Sequence, residues 1–124
     1  MHSLKVYIAG PYTAPTDEEI SANVTRAIDA ALALYAKGHI PFVPHLTHHI
    51  EARARQLGAH ISWQDYISHW DAPWLEMCDA VLLLQESPGS MQEIEMAKRW
   101  GKLIFRGGAE IVPPAEGQEH NGLR

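Results

Sequence analysis

The sequence predicts one α/β domain built on a doubly wound parallel sheet of four to five strands, and three observations predict it. Short apolar runs alternate with segments of helical period along almost the whole chain. The run Asp79-Ala80-Val81-Leu82-Leu83-Leu84 is apolar on both faces, as in a strand covered by helices on either side. The first strand, helix and second strand form a unit that crosses over right-handed and leaves the two strands parallel. With 124 residues, the chain is long enough for one domain with a proper core.

Lys5-Val6-Tyr7-Ile8-Ala9 is a β-rich run stopped by Gly10-Pro11, a strand followed by a sharp turn. Thr16 or Asp17 then caps a helix, with acids behind it and Ile20, Val24, Ala27, Ile28, Ala31, Leu34 and Tyr35 at helical spacing. Gly38 stops this helix. Ile40-Pro41-Phe42-Val43-Pro44 is a second short strand whose prolines put it at an edge or a terminus. A helical piece is expected through Ile50 to Leu57, with a break at Gly58. Ser62 reads as the next N-cap, before an aromatic-rich face of Trp63, Tyr66, Ile67, Trp70, Trp74 and Leu75. Proline inside a helix costs about 3 kcal/mol, so Pro73 predicts a break or kink near Asp71, with Asp71 capping a fresh turn. The buried strand follows, then Ser87-Pro88-Gly89-Ser90 opening a helix over Met91 to Trp100 that stops at Gly101. Lys102-Leu103-Ile104-Phe105 is the fourth strand. Residues 107–124 read as loop and tail, tied down by Ile111 and Val112.

Composition narrows the function. A formal charge of -5 and no cluster of lysine or arginine argue against a nucleic-acid polymer as partner, and a small molecule is expected instead. Cys78 is the only cysteine, so no internal disulfide forms, and its apolar setting suggests a buried thiol. No run of about 18 apolar residues and no secretory pattern occur, so no membrane role is expected and a cytoplasmic location is.

In an open parallel sheet, ligands bind outside the carboxyl ends of the strands. Tyr7 and the Gly10 turn lie at the first of these ends, His45 at the second, and Ser87 to Glu93 at the third, with Asp71 just upstream. Asp71 among aromatics and Glu93 among N–H donors and hydroxyls would take different pKa values, one fit to be an acid and one a nucleophile. Breaking a bond at a sugar anomeric carbon uses such a pair. Tyr7 could orient Glu93. The plainer readings are a half-buried strand aromatic for Tyr7, an N-cap for Asp71, and a first-turn acid for Glu93 behind a Ser87–Gly89–Ser90 turn.

Other chemistries fit less well. His45, His48 and His49 lie close together, but neighbouring histidines point in different directions and no HExxH acid is present, so no metal is expected. Ser90 lacks a G-x-S-x-G elbow, and Cys78 lacks an electropositive setting. Gly10-Pro11 is not a G-x-G-x-x-G fingerprint, so no dinucleotide, and no cofactor at all, is expected.

Taken together, Tyr7-Ile8-Ala9-Gly10-Pro11-Tyr12, Asn23, Pro41-Phe42-Val43-Pro44-His45, Asp71-Ala72-Pro73-Trp74-Leu75, Cys78-Asp79 and Ser87-x-Gly89-x-x-x-Glu93 resemble the nucleoside 2-deoxyribosyltransferase family, including its 2′-deoxynucleoside 5′-phosphate N-hydrolase relatives. The resemblance implies a flavodoxin-like fold, a homodimer or higher homo-oligomer, and a glutamate nucleophile paired with an aspartate that serves the departing base. Those roles fall on Glu93 and Asp71, with Tyr7 beside the nucleophile. Ser87 and Gly89 match positions that in the hydrolase branch help hold the 5′-phosphate, and with Gly10, Pro11, Tyr12, His45 and Ser90 at the strand ends they make up the expected substrate-binding set. The hydrolase branch carries an arginine in the first loop, whereas this chain reads Gly10-Pro11-Tyr12-Thr13-Ala14-Pro15. A 5′-phosphate would then rely on the N–H groups of Ser87 to Ser90 and a residue such as Arg26. The expected function is cleavage of the N-glycosidic bond of a deoxynucleoside or its 5′-monophosphate, by hydrolysis or transfer. The alternatives are a non-catalytic nucleotide-binding or sensing module and a small partner-binding domain presenting Trp63, Trp70 and Trp74.

Overall fold

The computed structural model describes residues 1–116; the remainder of the expected tail, 117–124, lies outside the described residues. Four parallel strands, β1 (Lys5–Ala9), β2 (Ile40–Phe42), β3 (Ala80–Leu83) and β4 (Leu103–Arg106), form one sheet in the order β2-β1-β3-β4. The main helices are α1 (Asp17–Ala36), α2 (His48–Gln56), the short α3 (Trp63–Asp65) and α4 (Ala72–Met77), and α5 (Pro88–Arg99). The chain leaves β1 outward to β2 and then returns to lay β3 on the other side of β1, with Tyr7 opposite both Phe42 and Val81. This is the flavodoxin-like, doubly wound arrangement, and the reversal between β1 and β3 opens a crevice beyond their carboxyl ends.

Alternation along the strands divides the core in two. Val6 and Ile8 of β1 and Ala80 and Leu82 of β3 pack on Ala27, Ala31 and Leu34 of α1. Tyr7, Ala9, Val81 and Leu83 face the other way, onto Leu75 of α4 and Ile94 and Ala97 of α5. Cys78 is buried in this second layer, where burial raises its thiol pKa. The helix ends follow local chemistry. Thr16 caps α1 by accepting the Glu19 N–H, and Gly38, with φ of 87°, lets the His39 N–H reach back to the Leu34 carbonyl. Gly101 ends α5 in the same way, the Lys102 N–H bonding the Ala97 carbonyl.

Two segments differ from the sequence expectation. The helix expected from Ile50 begins earlier, at His48, because a 3₁₀ turn over Pro44–Thr47 feeds directly into it. Pro73 does not break the chain at Asp71. Instead a π-helical turn, Tyr66–Asp71, joins α3 to α4, and the Ala72 N–H bonds the Ile67 carbonyl five residues back. Asp71 is helical there, with φ of −72° and ψ of −43°, and makes no capping bond, so its side chain is free for another task.

The segment after β4 is held more firmly than a tail. Val112 is fully buried, while Ile111, expected to anchor as well, stays exposed. Lys37 donates to the carbonyls of Ala109 and Val112, and the buried His39 ring accepts from the Leu4 N–H and donates to the Pro113 carbonyl. Among the described residues, no helix is long and apolar enough to cross a membrane.

Candidate active site

A cavity of about 820 Å³ opens beyond the carboxyl ends of β1 and β3, where the chain reversal predicts it. Its walls come mainly from four places: the Gly10–Thr13 loop, residues 44–55, residues 60–71 with α3 and the π-helical turn, and the first turns of α5. The sequence-predicted residues Gly10, Pro11, Tyr12, His45, Asp71, Ser87, Gly89, Ser90 and Glu93 all line it. Tyr7 stands beneath, buried in β1.

At the base of the cavity three ionisable groups meet. The Tyr7 hydroxyl donates to Glu93 Oε2. Glu93 lies one turn into α5 on the face packed against the sheet, and only 7% of it is exposed, so it is no solvated first-turn acid. Burial pushes its pKa up to about 8; the Tyr7 hydrogen bond opposes this and the negative charge of Asp71 adds to it. Asp71 is equally buried, and desolvation raises its pKa to about 7, again against the influence of the Tyr7 hydroxyl. Burial and the two carboxyls together drive the Tyr7 pKa well upward, so it remains a phenol and a donor. Two like-charged carboxyls this closely linked titrate as a pair, and near pH 7 to 8 the pair passes through the state with one proton and one charge.

Asp71 Oδ1 and His45 Nδ1 are buried and find no hydrogen-bond partner among the described residues. Buried polar atoms are rarely left without partners, and both residues line the cavity, so a bound molecule is a natural partner. Burial and the neighbouring His48 lower the pKa of His45, keeping its ring neutral at pH 7.

One wall is aromatic. Tyr12 and His48 stack with centroids 3.6 Å apart and planes at 9°, and Tyr66 also stacks on His48, at 5.1 Å. His48 is fixed by Glu51 at 3.1 Å, Glu51 is fixed by Arg55 at 2.8 Å, and the Tyr66 hydroxyl is hydrogen-bonded to Thr47. This wall is a column of stacked rings with polar edges, a surface that a planar heterocycle can join.

The profile of one family, the domain of unknown function DUF7768, matches residues 4–106, from just before β1 to the end of β4. The chain belongs to the DUF7768 family. No curated protein matches it. The matched span of this DUF7768 domain contains the sheet and every cavity residue named above.

Several wall residues of the DUF7768 domain escape sequence reasoning. His48 reads only as a weak metal candidate, and Tyr66 and Trp63 read as members of a packing face. Their available signal is a run of aromatics and histidines flanking a crevice-facing loop. Arg26, the cation suggested for a phosphate, turns away to Gln85 at 3.2 Å and lines a different hollow, beside Lys37 and Gly107. Among the described residues, no three His, Cys, Asp or Glu side chains gather as metal ligands; His48 is stacked and His49 is exposed.

Proposed function

We propose that this protein cleaves the N-glycosidic bond of a deoxynucleoside or its 5′-monophosphate, with Glu93 as nucleophile and Asp71 as acid and base. The observation that carries this reading is the pair of buried carboxyls, from α5 and the π-helical turn, coupled across the Tyr7 hydroxyl in one cavity with an unpartnered Asp71 oxygen. A retaining displacement needs the charge on Glu93 and the proton on Asp71. With pKa values raised to about 8 and about 7, the last shared proton rests more often on Glu93, so the reaction runs through the minor form with the proton on Asp71, which the Tyr7 donation to Glu93 favours. The resemblance of these motifs to the nucleoside 2-deoxyribosyltransferase family supports the same roles.

In the first step, the Glu93 carboxylate attacks the anomeric carbon, the carbon–nitrogen bond breaks, and its electron pair leaves with the base as Asp71 gives a proton to it. In the second step, water or another base loses a proton to the Asp71 carboxylate and displaces Glu93 from the sugar. Tyr7 is a positioning residue: its donation favours charge on Glu93 and fixes the attacking oxygen. The base lies along the Tyr12–His48–Tyr66 wall, and His45 Nδ1 is free to bond the sugar or the base.

The test is incubation with deoxynucleosides and their 5′-monophosphates, with chromatography for free base, beside Glu93→Ala. Release by the wild type alone is expected. Absence of release from every substrate, or equal release by Glu93→Ala, removes the proposal. Tight binding of a nucleotide that emerges intact favours the non-catalytic binding or sensing reading instead, for which the aromatic wall alone is sufficient.

A further inference from the structure

The end of the cavity formed by α5 looks at first like an anion site, since a helix N-terminus offers free N–H groups. Here those donors are already used. The Ser87 N–H bonds Ser90 Oγ at 2.8 Å, the Ser90 N–H bonds Ser87 Oγ at 3.2 Å, and the two hydroxyls bond each other at 2.9 Å. Pro88 has no N–H, which leaves Gly89 as the first-turn residue whose N–H has no bond among the described residues. Apolar side chains lie beside this residue. A Cβ placed on Gly89 would stand 3.5 Å from Ile67 Cδ1 and 3.6 Å from Trp63 Cζ2, so both side chains pack against this turn.

Charge on the walls runs the same way. Arg55 is the only lysine or arginine lining the cavity among the described residues, and it is spent on Glu51 at 2.8 Å. Glu51, Asp71 and Glu93 are the acids facing the same space. The rings of His45 and His48 are held neutral by burial, while His60 is open to solvent. A phosphate dianion there would lose its hydration and meet no unpaired cation and a single free backbone donor.

Resting on the reading of Glu93 and Asp71 given above, the base takes the aromatic wall and the sugar takes the carboxyl pair. The exocyclic carbon of the sugar then faces Gly89, Trp63 and Ile67. We infer that the substrate is an uncharged nucleoside, and that the capped, apolar first turn of α5 rejects a 5′-phosphate. A hydroxyl or an apolar group at that carbon is accepted.

The experiment titrates the wild-type protein, and Glu93→Gln as a turnover-dead companion, with the four common 2′-deoxynucleosides and their 5′-monophosphates. Calorimetry follows binding and chromatography follows release of base. At least tenfold tighter binding of one nucleoside than of its monophosphate is expected, with the same preference in kcat/KM. If the nucleoside binds with that preference but emerges intact, the catalytic reading fails and the exclusion of phosphate stands. A monophosphate that binds as well as its nucleoside, or better, overturns the inference while leaving the catalytic reading in place if base is released. Binding of neither overturns both.

Discussion

The hydroxyl of Tyr7, at the centre of the sheet, is hydrogen-bonded to Glu93 of α5 and faces Asp71 of the π-helical turn. A strand residue is thereby tied to two acids that are far apart in sequence, and all three are buried. Two carboxyls this deep stabilise the fold only in their protonated forms, so the geometry useful for chemistry carries a cost in stability.

That cost has a defined pH dependence. The ordinary pKa values of 3.8 and 4.5 rise to about 7 and about 8 in Asp71 and Glu93, so the folded chain binds more protons than the unfolded chain between these limits. Stability is therefore fully present below about pH 4 to 4.5, as far as these two groups are concerned, and falls as pH rises toward 8. Thermal unfolding followed by circular dichroism should give a Tm several degrees higher at pH 5 than at pH 8. Glu93→Gln, which removes one of the two groups, should flatten that slope.

Activity should follow the opposite demands of the pair. Base release needs one charge and one proton on the two carboxyls, so kcat/KM should be bell-shaped, with its optimum between about pH 7 and pH 8. Asp71→Asn should lower kcat by about 10²- to 10⁴-fold on substrates with poor leaving groups and abolish the alkaline limb. A profile that keeps both limbs in this variant would take the acid role away from Asp71.

The sequence carries most of the scaffold in its local chemistry. β1 ends where Gly10-Pro11 says it does, Gly38 and Gly101 stop their helices, and β3 is apolar on both faces because it is covered on both. That Tyr7 and Glu93 meet is legible from the carboxyl ends of β1 and β3, since an open sheet puts such positions together; Asp71 lies upstream of β3 and reaches the cavity on the π-helical turn, which strand ends do not foretell. The π-helical turn is not legible, because proline predicts loss of a hydrogen bond and not the wider turn that absorbs it. Nor is the aromatic wall: Tyr12, His48 and Tyr66 come from three segments, and aromatics at helical spacing look the same whether they pack a core or line a hollow.

Tyr7→Phe separates position from chemistry. The phenyl ring retains the packing against Phe42, at 5.7 Å, while Glu93 loses its donor. Because the hydroxyl lowers the pKa of both Glu93 and Asp71, its removal raises both further, and both limbs of the rate profile should move to higher pH. A fall in kcat of roughly tenfold to a hundredfold is expected, the size typical of losing one hydrogen bond to a charged group. Rate measurements across pH would detect the limb shift, which a purely structural role for Tyr7 would not produce.

The Tyr12–His48 stack makes a different demand, because it is a wall of the cavity and is assigned to the base and not to the reacting carbon. Stacking of a base on an aromatic side chain is worth about 1–3 kcal/mol, equivalent to roughly 5- to 150-fold in affinity. Tyr12→Ala should therefore raise KM by about tenfold or more with little change in kcat, and Tyr12→Phe, which retains the ring, should restore most of the loss. Binding used equally in ground and transition states moves KM alone, so the division between the two constants is the informative readout. A loss confined to kcat would put Tyr12 in the chemical step and leave the base without the platform assigned to it.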